Sequence, residues 1–115
     1  METTRTLRDS ARVTLDASGN GQVRLGPGRP NTRWLIKRIS VTTSTNTLEP
    51  EARVFRGSVG DAAFVTGTFT GSSDTDPGVD EELHPGEQLI VRWTGGDVGA
   101  TATATWYGDE ITGAA

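Results

Sequence analysis

An all-β chain, folded as an antiparallel β-sandwich of jelly-roll type with about seven to eight strands, is predicted by three features of the sequence. Fifteen glycines, five prolines and eighteen threonines among 115 residues favour strands and tight turns over helices. No window keeps apolar residues at helical spacing for three turns. Alternation with a period of two recurs instead, in short runs separated by turn-rich stretches.

The first run is ARVTLDA, residues 11 to 17, with Val13 and Leu15 on one face and Arg12, Thr14 and Asp16 on the other. SGNG follows, then GQVRLGP with Val23 and Leu25 on one side. Asn-Gly accepts positive φ at both central turn positions, so these two runs predict a β-hairpin. GPGRPN, 26 to 31, is expected to be a surface loop because proline has no N–H to give a ladder. RWLIKRISVTT, 33 to 43, sets Leu35, Ile39 and Val41 against Trp34 and Ile36, so it reads as a strand covered on both faces. ARVFRGS and AAFVTGTFTG supply two further strands. QLIVRW, 88 to 93, places Leu89, Val91 and Trp93 on one side. ATATATWYGDEI, 100 to 111, alternates alanine with threonine, and its small face lets a facing sheet come close. TGGDVG between these last two runs reads as a glycine-rich hairpin connection. Residues 11–111 thus form one sandwich domain. Residues 1–10 are expected to be a flexible N-terminal arm and 112–115 a flexible tail.

Charge narrows the function. Fifteen acidic against eleven basic residues leave a net charge of −4, the wrong sign for tracking phosphates, so no nucleic-acid partner is expected. Without cysteine there is no disulfide framework or thiolate metal site. No apolar run is long enough to span a membrane, and METTRTLRDS has no signal-peptide core, so a soluble chain made in a cytoplasm is expected. Ten of the eleven basic residues are arginine, a skew that suits a GC-rich coding genome and also bidentate contacts across interfaces.

Six of the fifteen acids fall within DTDPGVDEELHPGE, residues 74 to 87. A helix-flanked calcium loop needs oxygens at positions 1, 3 and 5, glycine at 6 and glutamate at 12. Counted from Asp74, those later places hold Gly78, Val79 and Pro85, and the match fails. An irregular calcium site on Asp74, Asp76, Asp80 and Glu82 is the functional alternative to a long solvated loop, and the solvated loop is the reading carried forward. HPGE at its end describes a type II turn, with Pro85 presetting φ and Gly86 taking a positive one, between core anchors Leu83 and Leu89.

Chemistry is otherwise sparse. His84, the single histidine, precedes a proline in that turn and has no nucleophile assigned to it by position. TGGDVG lacks the phosphate-loop pattern. No catalytic residue and no cofactor is therefore expected. Trp34, Trp93 and Trp106, with Tyr107, could stack on sugar rings if exposed, but each tryptophan lies in an alternating strand and reads as core. Arg5, Arg8, Arg12, Arg53, Arg56 and Arg92 lie on or beside strands and are the candidate contacts to another protein, set against an ordinary solvated face.

The succession VTLDASGNGQVRLGP, RWLIKRISVTT, ARVFRGS and LHPGEQLIVRWTGGDVGATATATWYG resembles small β-sandwich virion structural proteins of tailed phages that infect actinobacteria. The resemblance spans residues 11 to 108 and rests on strand order and turn wording, with no catalytic motif. It implies a capsid decoration (cement) or minor capsid protein that binds the head surface and stabilises the shell. The implied partners are the major capsid protein or another virion protein, together with further copies of the chain, for instance as a trimer. The implied location is the virion. The alternative is a receptor-binding or adsorption module, in tail or head, that recognises host cell-wall glycan.

Overall fold

The computed structural model describes residues 3–45, 47–48, 50–57, 64–70, 73–76 and 81–113. Within them the strands are β1 (Thr3–Thr14), β2 (Gly21–Leu25), β3 (Thr32–Thr43), β4 (Glu51–Arg56), β5 (Phe64–Thr70), β6 (Ser73–Asp76), β7 (Glu81–Leu83), β8 (Leu89–Thr94) and β9 (Thr101–Thr112). One sheet has the order β1-β9-β3-β6, with β7 also paired to β3, and the other has the order β2-β8-β4-β5. Every pairing is antiparallel. The strands pair as if one long hairpin had been rolled up: β4 with β5, β3 with β6 and β7, β2 with β8, and β1 with β9. Bonds from β9 to β3 and from β8 to β4 then complete the two sheets. This is the jelly roll, and the fold class is the one expected. Because β6 and β7 occupy successive stretches of one edge of β3, nine strands fill eight places in the sandwich.

Alternation makes the core. In β9, Ala102, Ala104 and Trp106 point inward and are 4 % exposed or less, while Thr101, Thr103 and Thr105 face out, half-buried. Leu89, Val91 and Trp93 of β8 meet them from the opposite sheet, all at 1 % or less. Alanine on the inner face of β9 leaves room for the Trp93 and Trp106 rings. The Pro85-Gly86 turn forms as expected: Gly86 has φ 86°, and the Glu87 N–H donates to the His84 carbonyl at 2.9 Å. Leu83 and Leu89 are fully buried on either side of it.

Several expectations are corrected. Residues 11–17 and 21–25 do not form a hairpin, because β1 and β2 lie in different sheets and pair with β9 and β8 instead. The SGNG turn carries the chain from one layer to the other, and TGGDVG does the same between β8 and β9. The two crossings touch: the Gly96 N–H donates to the Gly19 carbonyl at 2.9 Å. The arm expected over residues 1–10 is, from Thr3 onward, the first two-thirds of β1, in unbroken register with β9 from Thr3↔Thr112 to Thr14↔Thr101. Leu7 anchors it at 7 % exposure. At the other end Thr112 belongs to β9, and the Gly113 N–H donates to the Asn31 carbonyl at 3.0 Å, so these two residues of the expected tail are held by the fold. The acidic stretch is not one long loop, since Ser73–Asp76 and Glu81–Leu83 each pair with β3. Its carboxylates hide the strand signal because they break the apolar alternation.

β3 is also not covered on both faces in the way its sequence implies. Its register with β9 shifts between Ile36 and Arg38, so Lys37 is an extra residue in a β-bulge. Trp34 and Ile36 before the bulge, and Ile39 and Val41 after it, all point inward. Apart from Leu35, which stays on the outer face opposite Asp109, the two apolar sets that seem opposed in sequence share one face.

Two outcomes follow from this packing. Gly108 lies opposite Ile36 beside the bulge, and a Cβ there would overlap the Leu35 carbonyl. Gly108→Ala should therefore cost ~1–3 kcal/mol or more, read as a lowered urea midpoint. Removing residues 1–10 strips Leu7 from the core, worth about 2 kcal/mol by itself, and exposes β9. The truncated chain should melt well below the intact one, whereas a free arm would leave the melting temperature unchanged.

Candidate interaction surface

β9 is flanked by β1 and β3 along its whole length, so the outward residues of the three strands line up in rows. Arg12, Thr103 and Thr42 form one row, and Ser10, Thr105 and Ser40 the next. Arg8, Tyr107 and Arg38 follow. Short hydroxyl side chains make up the second row and, Arg12 at the β1 edge apart, the first, and the third stands above them. The Arg38 guanidinium carbon is 4.3 Å from the centroid of the Tyr107 ring, and that of Arg8 is 5.5 Å away. Both lie within cation–π reach. Arg8 comes from β1 and Arg38 from β3, so the ring meets a cation from each strand that flanks β9.

The six arginines singled out from the sequence have three fates. Arg8 and Arg12 lie on this face and are exposed. Arg53 and Arg92 are cross-strand partners on the opposite sheet, and Arg53 is ion-paired to Glu51. That pairing offsets part of the repulsion between two directly opposed cations. Arg5 and Arg56 are used within the molecule. Arg56 in β4 reaches Glu81 of β7 at 2.9 Å, Glu87 at 3.2 Å and the Glu82 carbonyl at 2.8 Å, so it straps one sheet to the other. Arg5 is ion-paired to Glu110, its cross-strand partner on the inner face.

Among the residues whose burial is described, Glu110 is the buried carboxylate, at 8 % exposure. One oxygen accepts from Arg5 and the other from the Trp34 indole N–H at 3.0 Å. The Trp34 ring in turn lies 6.3 Å from Trp106. The bond from Arg5 holds the Glu110 carboxyl below its ordinary range, opposed by burial and helped by Trp34. Asp97, in the crossing before β9, accepts from Thr45 Oγ1 at 2.8 Å and from the Thr47 and Leu48 N–H groups at 2.9 and 2.8 Å. These bonds lower its pKa and tie the β3–β4 connection to the β8–β9 crossing. The residue types alone announce neither role, because each depends on which strands the fold brings side by side.

The other candidates are dispersed. Trp93 and Trp106 are core, as expected, and Trp34 is half-buried with its N–H committed to Glu110. Of the calcium candidates, Asp74 and Asp76 sit in β6 opposite Val41 and Ile39, Glu82 sits in β7, and Asp80 lies outside the described residues. Glu82 faces Arg33 at 3.8 Å and His84 Nε2 at 3.2 Å. Among the described residues no three acidic or histidine side chains gather around one point. Arg38 and Tyr107, the centre of the outer face, were not paired in sequence, since the bulge at Lys37 decides which side of β3 Arg38 takes. Comparison of the chain with protein-family models, curated proteins and solved structures finds no match in any of the three.

Glu110 sets an acid limit on stability. Its carboxyl holds a proton less tightly in the folded chain than in the unfolded one, whose value is near 4.5. The contribution is therefore fully present above that value and is lost as pH falls through the lower folded one. Glu110→Gln should cost roughly 1 kcal/mol at neutral pH, since Arg5 is largely exposed to solvent. The gap between the two proteins in denaturant titrations should close as pH drops below 4.5. A pH-independent gap would mean that the loss is one of packing.

Proposed function

We propose that this chain is a structural assembly protein that binds another protein through the outer face of the β1-β9-β3 sheet. In the setting that the sequence resemblance implies, it is a decoration or minor capsid protein and the partner is the shell of a phage head. The observation that carries the reading is the Arg8-Tyr107-Arg38 row standing on a level, hydroxyl-rich face. Arginine and tyrosine are the residue types that concentrate binding energy at protein interfaces. Twelve residues at ~3.3 Å each, across three strands ~4.8 Å apart, make a face of roughly 40 by 14 Å. That is most of the ~800 Å² each partner gives to a standard interface. A flat face of this size spreads its contacts across subunit boundaries of a shell, and adding buried area there holds the shell against internal pressure. No cofactor enters such a role. Copies of the chain brought together by the symmetry of the shell would associate around its axes.

The test is co-sedimentation of the purified protein with heads that lack it, with host cell walls as a second bait. Saturable binding to heads is expected, weakened about tenfold or more by Tyr107→Ala with Arg38→Ala. The double variant should keep its melting temperature within a few degrees, since both side chains lie outside the core. Binding to cell walls alone would overturn the reading in favour of glycan adsorption.

A further inference from the structure

β1 is the last strand of its sheet, and among the described residues no strand pairs with its outer edge. The direction of its backbone groups follows from the bonds around it. The Leu15 N–H donates to the Ala100 carbonyl at 2.9 Å, and the β1–β9 register runs unbroken from there. Odd-numbered residues of β1 therefore turn their N–H and C=O groups to β9, and even-numbered residues turn theirs outward. Ser10 agrees, for its N–H is met by the side chain of Asp9 at 2.8 Å, on the far side from β9. Among the described residues, the outward groups of Thr4, Thr6 and Arg8 bond to nothing else in the chain.

Beside that stretch lies a cavity of about 290 Å³. Residues 5–9 of β1 line it on one side and residues 27–29 of the β2–β3 loop on another, and Trp34 and Glu110 complete it. Its charge is biased. Three arginines, Arg5, Arg8 and Arg29, line it against two carboxylates, Asp9 and Glu110, and Arg5 is ion-paired to Glu110, which leaves a surplus of one positive charge. Three features thus coincide: unpaired backbone, space for a neighbouring chain, and surplus positive charge.

We propose that this groove receives an extended acidic segment of a partner protein, which adds a strand to β1 by bonding to the backbone of Thr4, Thr6 and Arg8 while a carboxylate reaches Arg29. Backbone pairing supplies affinity in such an arrangement, and alternate side chains supply selectivity. A second copy of β1 is the weaker occupant, because β1 carries three arginines against one aspartate and would meet its own charge. The site shares Arg8 with the Tyr107 row through its backbone alone, and Tyr107 and Arg38 take no part in it, so Tyr107→Ala with Arg38→Ala leaves peptide binding in place and the two readings are tested apart.

The probe is a capped octapeptide of alternating threonine and glutamate, titrated into the full chain by calorimetry and followed by amide hydrogen exchange. Saturable binding is expected, with slowed exchange at Thr6 and Arg8. Thr6→Pro should abolish it: the Thr6 N–H lies outside the β1–β9 ladder, so an edge proline leaves the fold in place. Arg29→Glu, in an exposed loop, should weaken binding several-fold without touching the strand. Peptides N-methylated at alternate residues should lose binding when the methylated set is the one facing β1. Equal binding of a threonine–lysine octapeptide, no binding of the glutamate peptide, or indifference to N-methylation in both sets would each overturn the proposal. So would concentration-dependent dimerisation of the chain alone with protection at Thr6 and Arg8, which would give the edge to a second copy.

Discussion

β9 is bonded along both edges, to β1 on one side and to β3 on the other, and the rest of the sandwich is arranged around that strand. It has to satisfy two opposite demands at once. Its inner face must be small enough for the facing sheet to bring Trp93 close, which alanine at 102 and 104 permits. Its outer face must stay level and wettable, which threonine at 101, 103 and 105 provides while keeping the β-branched preference for an extended backbone. At Gly108 the requirement is stricter still, because the Leu35 backbone takes the place a side chain would occupy. A single twelve-residue strand therefore sets both the thickness of the core and the texture of the surface.

The bulge at Lys37 turns this frame into a particular molecule. Without the extra residue, one half of β3 would send its apolar side chains to solvent, since a shift of one position reverses every side chain. With it, Trp34 comes inward to meet Glu110, and Arg38 comes outward to meet Tyr107. The buried carboxylate and the cationic row on the outer face are thus two consequences of one inserted residue. Bulges store extra twist and re-aim side chains next to functional surfaces, and this one separates an inner polar lock from an outer contact row.

Charge is divided by layer in the same way. Arg5, Arg56, Asp97 and Glu110 act inside the molecule, joining strands or loops that are distant in sequence. Arg8, Arg12 and Arg38 remain on the outer face, and Arg29 stands beside the outer edge of β1. A net charge of −4 thus coexists with a locally cationic sheet. The sign of the net charge therefore does not describe the field above this face.

The positions of β2, β3, β4, β5, β8 and β9, the Pro85-Gly86 turn and the burial of Trp93 and Trp106 were legible in sequence, because each depends on neighbours one to four residues apart. The same local rules misjudged SGNG and TGGDVG, since a turn suited to a hairpin can equally carry the chain between layers, and only the competing partners β8 and β9 decide. They missed β6 and β7, where pairing to β3 outweighs a poor apolar pattern. They treated residues 1–10 as an arm, because Leu7 alone, among threonines and charges, carries no periodic signal until β9 lies beside it. By itself the sequence determined that the chain is all-β and which residues of β8 and β9 share a face, for alternation is a property of the strand alone. Only the tertiary structure decided which arginines are locked and which are free, because cross-strand register joins residues as far apart as Arg5 and Glu110.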